Sequence, residues 1–294
     1  MLTKNALNIS NEDIARYQRD GAVLIKHALD ADGIRLLETG LEEIYREPGS
    51  RHSKISTTEG KGETLVEQYV SERSPALRAL LDNGVVGEIA GRLMQTPSAQ
   101  LVLDQVFYKA KGPIVPTPWH QDTPFLRVRG DEMIRVWIPC DYSPRALTVQ
   151  VVRGSHRWNV IYNTSGERPN ETSTIEEGQG FTYDGMGDDA LPPAPDVQRY
   201  RDSFEILSWD VEPGDALVFQ GNMLHGADGH PGYDHPRRAF AAMLGGPNLR
   251  YHAPKGKAFP VPGTVRGVKI PAIPDGARIG AYESAFPVCW RAAA

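Results

Sequence analysis

Trp119-His120-Gln121-Asp122, met about a hundred residues later by Asn222-Met223-Leu224-His225-Gly226, is the pairing that decides the reading of this chain. His120 and Asp122 lie two apart, so on a strand or its extended end both side chains point to one face. An imidazole beside a carboxylate supplies two of the three protein ligands of a non-haem iron site, which keeps open positions on the metal. The third ligand is then a distant histidine. His225 is the best placed, because it follows Glu212-Pro213-Gly214-Asp215-Ala216-Leu217-Val218-Phe219, a turn leading into a buried strand. His230 and His235, in the Gly/His/Pro-rich turn beyond, are its rivals. Next come Arg237 and Arg238, opening the apolar run Ala239-Phe240-Ala241-Ala242-Met243-Leu244. Neighbours on a strand face opposite ways, so only one of the two enters the interior. A buried arginine beside such a metal clamps a carboxylate through two parallel hydrogen bonds. An H-x-D pair alone is a weak signal, since a surface salt pair reads the same way. The full order is more specific: H-x-D, a long gap, strand-His-Gly, then Arg on a strand.

These residues, together with Gly154-Ser155-His156 and the opening Tyr17-Gln18-Arg19-Asp20-Gly21-Ala22-Val23-Leu24, resemble the phytanoyl-CoA dioxygenase-like family of iron(II)- and 2-oxoglutarate-dependent oxygenases. The similarity spans about residues 10 to 245. It departs at Ala146-Leu147-Thr148-Val149 and Arg153-Gly154-Ser155-His156, where relatives often carry Asn-Gly and then Pro-Gly-Ser-His. The resemblance implies a mainly β chain with flanking helices, built on a double-stranded β-helix, the cupin-like jelly roll. It implies Fe(II) held by His120, Asp122 and His225, with 2-oxoglutarate and O2 as co-substrates. Arg237, matching the first arginine of the family's Arg-Arg-Ala run, receives the far carboxylate, with Arg238 as runner-up. Thr148 matches a position that offers a hydroxyl to the co-substrate. Gln105 is either a co-substrate contact or an ordinary edge-facing glutamine, and both readings stay open. His156 is set aside as a ligand, because its turn matches a structural element and the triad is complete without it.

Composition bounds the alternatives. With 294 residues, 40% of them hydrophobic, the chain is long enough for one large domain with a real core. A net charge of −5 makes nucleic acid an unfavoured partner. Cys140 and Cys289 alone imply no disulfide framework, so a reducing cytoplasm is the simpler assignment. The N-terminus lacks the apolar region of a signal peptide, and no apolar run is long enough for a membrane span.

Taken in order, the chain is expected to form a single domain. A helical front over 1–98 packs on a jelly-roll core over 99–249, which carries a loop insertion at 162–200. A tail over 250–294 packs on the barrel or on the partner subunit of a homodimer. Ser10 and Asp13 form a capping box and Gly21 a left-handed stop for a first helix. Ala22–Ile25 follows as a strand. A second helix begins at Asp32, with Ile34, Leu37, Leu41, Ile44 and Tyr45 as its buried stripe. Residues 46–64 read as a polar loop near the site mouth. Ser74-Pro75 opens a third helix, and Asn83-Gly84 separates it from a fourth over Val85–Met94. Strands follow over Gln100–Lys109, Ile134–Asp141, Thr148–Val152, Phe204–Trp209 and Asp215–Phe219. Lys111–Pro118 is too rich in proline for a central strand. Arg127 and Arg129 share a face, either solvated or greeting an anionic substrate. The 162–200 stretch reads as a lid or substrate-selecting insertion, without the regular acid spacing of a calcium loop.

The reaction this implies is oxidation of a small organic metabolite or natural product, with release of succinate and CO2. Hydroxylation is the default, and desaturation, epoxidation or rearrangement are the variants. Asp122 sets the chain apart from halogenating relatives, which replace that carboxylate with a small residue. The alternative is a cupin-like metal hydrolase or isomerase, or a metal-dependent small-molecule binder, since zinc accepts the same donors.

Overall fold

Alternation along the central strands assigns each residue to one of two faces. In the computed structural model, which describes residues 7–163, 173–177, 190–253, 258–259 and 264–293, the strands Met133–Pro139, Ala216–Gln220 and Arg237–Gly245 are covered on both faces and mostly apolar. Ile134, Val136, Ile138, Phe240, Ala242 and Leu244 join Leu37, Leu41, Leu77 and Ile89 of the helices in one core. Their sequence neighbours Trp137, Leu217, Phe219, Ala239 and Ala241 point the other way and meet Val151 in a second core. Each such aliphatic or aromatic side chain stabilises the fold by about 1.5–3 kcal/mol when fully buried. Strands covered on both faces are required to be nearly all apolar, which is how they read in the sequence.

The major sheet has nine strands. The order is Ala22–Ile25, Ala216–Gln220, Met133–Pro139, Arg237–Gly245, Ser98–Lys109, Thr64–Gln68, His52–Thr57 and Ser173–Glu177, with Val288–Arg291 pairing off Ser98–Lys109. The minor sheet runs Ile206–Leu207, Gln150–Val152, His225–Ala227, Thr117–His120. Helices Ala31–Arg46, Pro75–Asp82 and Val85–Met94 cover the outer face of the major sheet, and the minor sheet closes the inner one. This is a jelly roll with a helical cover.

Local signals held at the helix ends. Ser10 and Asp13 form the capping box of Asn11–Asp20, and Gly21 ends it at φ 84°. A Cβ on Gly21 would lie 2.3 Å from the Met223 sulfur and 2.4 Å from His156 Nδ1, so no side chain fits there. Pro75 opens Pro75–Asp82 behind the Ser74 cap.

Three expectations are corrected. The second helix starts at Ala31 with Asp30 as its cap, because the Asp30 carboxylate accepts from Gly33 N. Tyr45 is 39% exposed and stacks on Tyr108, ring centroids 3.9 Å apart, rather than lying in the buried stripe. Residues 46–64 are not a loop throughout: His52–Thr57 pairs with Thr64–Gln68, and Thr64–Gln68 pairs with Ser98–Lys109. The polar, glycine-bearing sequence concealed a hairpin whose pairing partner lies far along the chain, and tertiary pairing overrides local composition in strands. The 162–200 insertion also contributes a strand, Ser173–Glu177, at the open edge of that hairpin. The lid expected over residues 164–172 and 178–189 lies outside the described residues. Beyond Arg250 the described tail packs on its own barrel, with Phe286 and Ile279 fully buried. No helix among the described residues is long and apolar enough to cross a membrane.

His156 lies under Gly21, half-buried, with Nδ1 unpartnered among the described residues. Burial pushes its pKa below the usual 6.5. As the unfolded chain takes up that proton first, the associated stability is present above pH 6.5 and is lost as pH falls below it. Thermal melts of metal-free protein between about pH 7.5 and 5.5 are expected to show a falling midpoint, with a smaller fall in His156→Gln. An equal fall in the variant would contradict this assignment.

Candidate metal centre and its cavity

The two halves of the triad are joined by backbone pairing. Thr117–His120 and His225–Ala227 are adjacent antiparallel strands of the minor sheet, with His120 and His225 directly opposite. The segments are then stitched together beyond the strand ends. Gln121 Nε2 donates to the carbonyls of Val160 and Asn222, and its Oε1 accepts from Tyr162 N. The Thr123 hydroxyl donates to Gly221 O at 3.2 Å and to Asn222 Oδ1. Asp122 is past the strand, with φ −73° and ψ −26°, so the alternation of an extended strand does not aim its side chain. Arg135 does: its Nη1 donates to Asp122 Oδ2 at 3.1 Å from the facing major sheet.

The geometry of the three side chains suits one cation. Asp122 Oδ1 lies 3.7 Å from His120 Nε2 and 3.8 Å from His225 Nε2, and the ligand atoms all fall within 4.8 Å of one another. Those separations are too long for hydrogen bonds. They approach the roughly 3–3.4 Å expected between ligands each about 2.1 Å from a shared metal. Each ring is oriented by its other nitrogen: His120 Nδ1 sits 2.8 Å from Pro118 O, and His225 Nδ1 sits 3.0 Å from Met223 O. Nδ1–H donation to those carbonyls leaves both Nε2 lone pairs free for a metal. Burial, reinforced by the neighbouring His120, pulls the His225 pKa down to about 3, so its ring is neutral at pH 7. Burial works against the charged form of Asp122, but the Arg135 guanidinium, aided by the two histidines, holds the carboxyl well below the usual range. Two imidazoles and an ionised carboxylate are the donor set that divalent iron takes with positions to spare. Among the described residues no other group of three potential ligands converges in this way. His230 pairs instead with Ile114 at a separate two-stranded edge.

A cavity extends from the triad over the inner face of the major sheet. It is lined by Gln68, Gln105, Phe107, Trp137 and Arg237, with Ile55, Thr64 and Ile175 also on its wall. Arg237 faces inward, and Arg238 faces outward, donating to both oxygens of Asp141 and to Glu42. The Arg237 guanidinium lies 5.9 Å from the Trp137 ring centroid, and its Nε has no partner among the described residues. Burial lowers its pKa to about 10, which still leaves it charged at pH 7. Lys109 stands opposite Arg237 in register, 1% exposed, with Nζ also unpartnered. A half-buried guanidinium and a buried lysine with no counter-charge among the described residues fit an anionic ligand, because leaving such groups unpaired is costly.

The remaining expected residues fall as follows. Gln105 lines the cavity, and its Oε1 accepts from Arg135 Nη2. Thr148 is fully buried with an unpartnered hydroxyl, in a bend before Gln150–Val152. It does not line the cavity, whereas its neighbour Val149 does. Arg127 and Arg129 are half-buried and do not line the cavity. Arg129 Nη1 donates to the carbonyls of Thr123, Leu126 and Val128, and Arg127 Nε donates to Ala258 O. Arg129 thereby braces the turn that carries Asp122. Arg135, Lys109 and Gln68 are the residues that sequence reasoning passed over. Strand alternation did place Arg135 on the face of Trp137, the one signal that could have found it.

Arg135→Met is expected to weaken iron(II) binding by about 10–100-fold, the usual effect of losing a group that orients a metal ligand. Anaerobic titration of the metal checks this, and an unchanged affinity would remove Arg135 from the site.

A jelly roll with two histidines and one carboxylate converging between its sheets defines a non-haem metal enzyme with open coordination positions. The family model described as Phytanoyl-CoA dioxygenase (PhyH) matches residues 17–239, and the chain belongs to that family. It is thus an iron(II)- and 2-oxoglutarate-dependent dioxygenase by descent and by donor set. The ectoine dioxygenase of Sphingopyxis alaskensis is 20% identical over 236 residues, which cover 77% of this chain and 72% of the relative. Among solved structures, the non-heme alpha ketoglutarate dependent epimerase SnoN from nogalamycin biosynthesis superposes with a TM-score of 0.67 at 19% identity, covering 95% of this chain and 98% of SnoN. EctD from S. alaskensis with 2-oxoglutarate and 5-hydroxyectoine gives a TM-score of 0.63 at 18% identity, covering 92% and 88%. At these identities the structural likeness carries the fold.

Proposed function

We propose that this dioxygenase hydroxylates a small organic molecule, with Arg237 holding the far carboxylate of 2-oxoglutarate. The observation that carries the reading is Arg237, half-buried in the same cavity as the triad, with its Nε buried and without a partner among the described residues. A site that only activated water would have no use for it. His120, Asp122 and His225 would hold iron(II), and bound there with 2-oxoglutarate and O2 it supplies oxidising power toward a C–H bond, with succinate and CO2 as coproducts. The protein's own part is positioning and shielding. Arg135 keeps Asp122 ionised and aimed, and the Pro118 and Met223 carbonyls keep both Nε2 atoms available. Arg237, with Lys109 beside it, fixes the dicarboxylate at one end, so that the other end meets the open side of the triad. Trp137 and Phe107 wall that path from water. Gln105, held by Arg135, borders the same path. Thr148 would need its bend to shift before its hydroxyl could take part.

SnoN and EctD, at similar fold, are solved with different molecules bound, nogalamycin RO and 5-hydroxyectoine, so substrate choice belongs to the cavity walls and not to the fold. The free thiols of Cys140 and Cys289 support a cytoplasmic setting. The tail packs on its own chain, so the reading needs no homodimer partner. Anaerobic addition of iron(II) and 2-oxoglutarate is expected to raise a weak visible charge-transfer band, and a metabolite screen should then yield succinate with at least one compound. Iron binding with neither band nor succinate would favour a non-oxidative metalloprotein.

A further inference from the structure

Besides Arg135, the inner face of the major sheet carries polar groups in two separate rows. One row is Thr64, Lys109 and Arg237, aligned across three strands. The other is Gln68, Gln105 and Ala241, four residues further along. At about 3.4 Å per residue the rows are ~14 Å apart, and two strand spacings of ~4.8 Å separate Gln68 from the Arg237 strand. A five-carbon dicarboxylate spans only about 5 Å between its carboxyl carbons. Gln68 therefore sits in the row of Gln105, apart from the row that would hold the far carboxylate.

Gln68 is 2% exposed and lines the cavity, with Thr64 and Val66 of its strand lining it alongside. Neither its amide nitrogen nor its amide oxygen has a partner among the described residues. Gln105, opposite it in register, is already held by Arg135, and the same cavity wall carries the apolar Val66, Leu103, Phe125, Leu126 and Phe259. An unpaired carboxamide in such a place costs stability, and a ligand offering both a donor and an acceptor removes that cost. The charged side chains of the described cavity wall, histidines aside, are Asp122, Arg135 and Arg237. The first two neutralise each other, and the third is taken by the dicarboxylate. Lys109, behind Arg237, serves the same carboxylate, so among the described residues of the wall no charge is left for the substrate.

We infer that Gln68 is the residue that selects the substrate, and that the part of the substrate entering the cavity is neutral and largely apolar with one hydroxyl or carboxamide group hydrogen-bonded to Gln68. This rests on the dioxygenase reading for the location of the reacting centre. Sites built to hydrogen-bond a substrate group discriminate strongly against analogues lacking it, while apolar walls discriminate weakly.

The test uses enzyme loaded anaerobically with iron(II) and 2-oxoglutarate. Its absorption band is titrated with matched compounds: benzamide against N,N-dimethylbenzamide, 1-indanol against indane, and 1-naphthol against 1-methoxynaphthalene. In at least one pair the donor–acceptor member should perturb the band at about tenfold lower concentration than its counterpart. Gln68→Leu should erase that preference, leave the band itself unchanged, and raise the melting temperature of the metal-free protein by about 1–3 °C. Equal binding within every pair, no binding by any compound, a preference that survives Gln68→Leu, or a lowered melting temperature in that variant would each overturn the assignment. If the wild-type enzyme forms no band, it is the dioxygenase reading that fails. The same pairs are then read by thermal shift on the metal-free protein, and the same outcomes apply.

Discussion

Asp122→Ala is expected to abolish the iron–2-oxoglutarate band and to lower turnover by at least about 1000-fold, the scale of losing several kcal/mol of metal-borne stabilisation. Two effects combine in this variant and can be separated. The metal loses its carboxylate ligand, and Arg135 loses the anion it faces at 3.1 Å. Breaking a buried pair by removing one partner typically costs about 3–5 kcal/mol, because the other charge stays behind. The variant should therefore melt earlier than wild type. Adding Arg135→Met to Asp122→Ala removes the stranded cation, so the double variant should regain stability without regaining iron. Recovery of the band in the double variant would show that Asp122 is not a ligand.

Arg237→Leu is expected to raise the KM for 2-oxoglutarate about 100-fold, matching roughly 3 kcal/mol for a buried charge-assisted contact, while leaving iron affinity in place. Arg237→Lys keeps the charge but loses the planar fork, so an intermediate effect of about tenfold is expected. Arg238→Leu is the control. Its guanidinium is spent on Asp141 and Glu42, so its loss should lower stability and spare the KM. Steady-state kinetics against 2-oxoglutarate, with melting curves of all three proteins, distinguishes the two arginines. A rise in KM for Arg238→Leu alone would reverse the assignment.

Much of this architecture was written in local chemistry. Ser10, Asp13 and Gly21 bound the first helix because they satisfy or release backbone groups whatever the rest of the chain does. The apolar runs around Val136, Val218 and Phe240 had to be strands covered on both faces. The triad was legible for a different reason: His120, Asp122 and His225 sit in a recognisable order, and minor-sheet pairing brings the two histidines face to face. What stayed hidden depends on contacts made at a distance. The hairpin of His52–Thr57 and Thr64–Gln68 is polar because it lies toward the sheet edge, and its pairing with Ser98–Lys109 leaves no trace in local composition. Tyr45 follows the helical period of the buried stripe, yet it stacks on Tyr108 at the surface. Arg135 reads as an ordinary strand residue until the barrel closes and sets it against Asp122. The unpartnered states of Gln68, Lys109 and Arg237 exist only in the folded cavity, where a missing partner can be counted.

The most direct measurement is an anaerobic crystal structure with iron(II), or manganese(II) in its place, and 2-oxoglutarate. The account predicts one metal ion bound through His120 Nε2, Asp122 Oδ1 and His225 Nε2, with the dicarboxylate reaching from that ion to the Arg237 guanidinium. A metal ion seated elsewhere, or a dicarboxylate that leaves Arg237 unpaired, would contradict it.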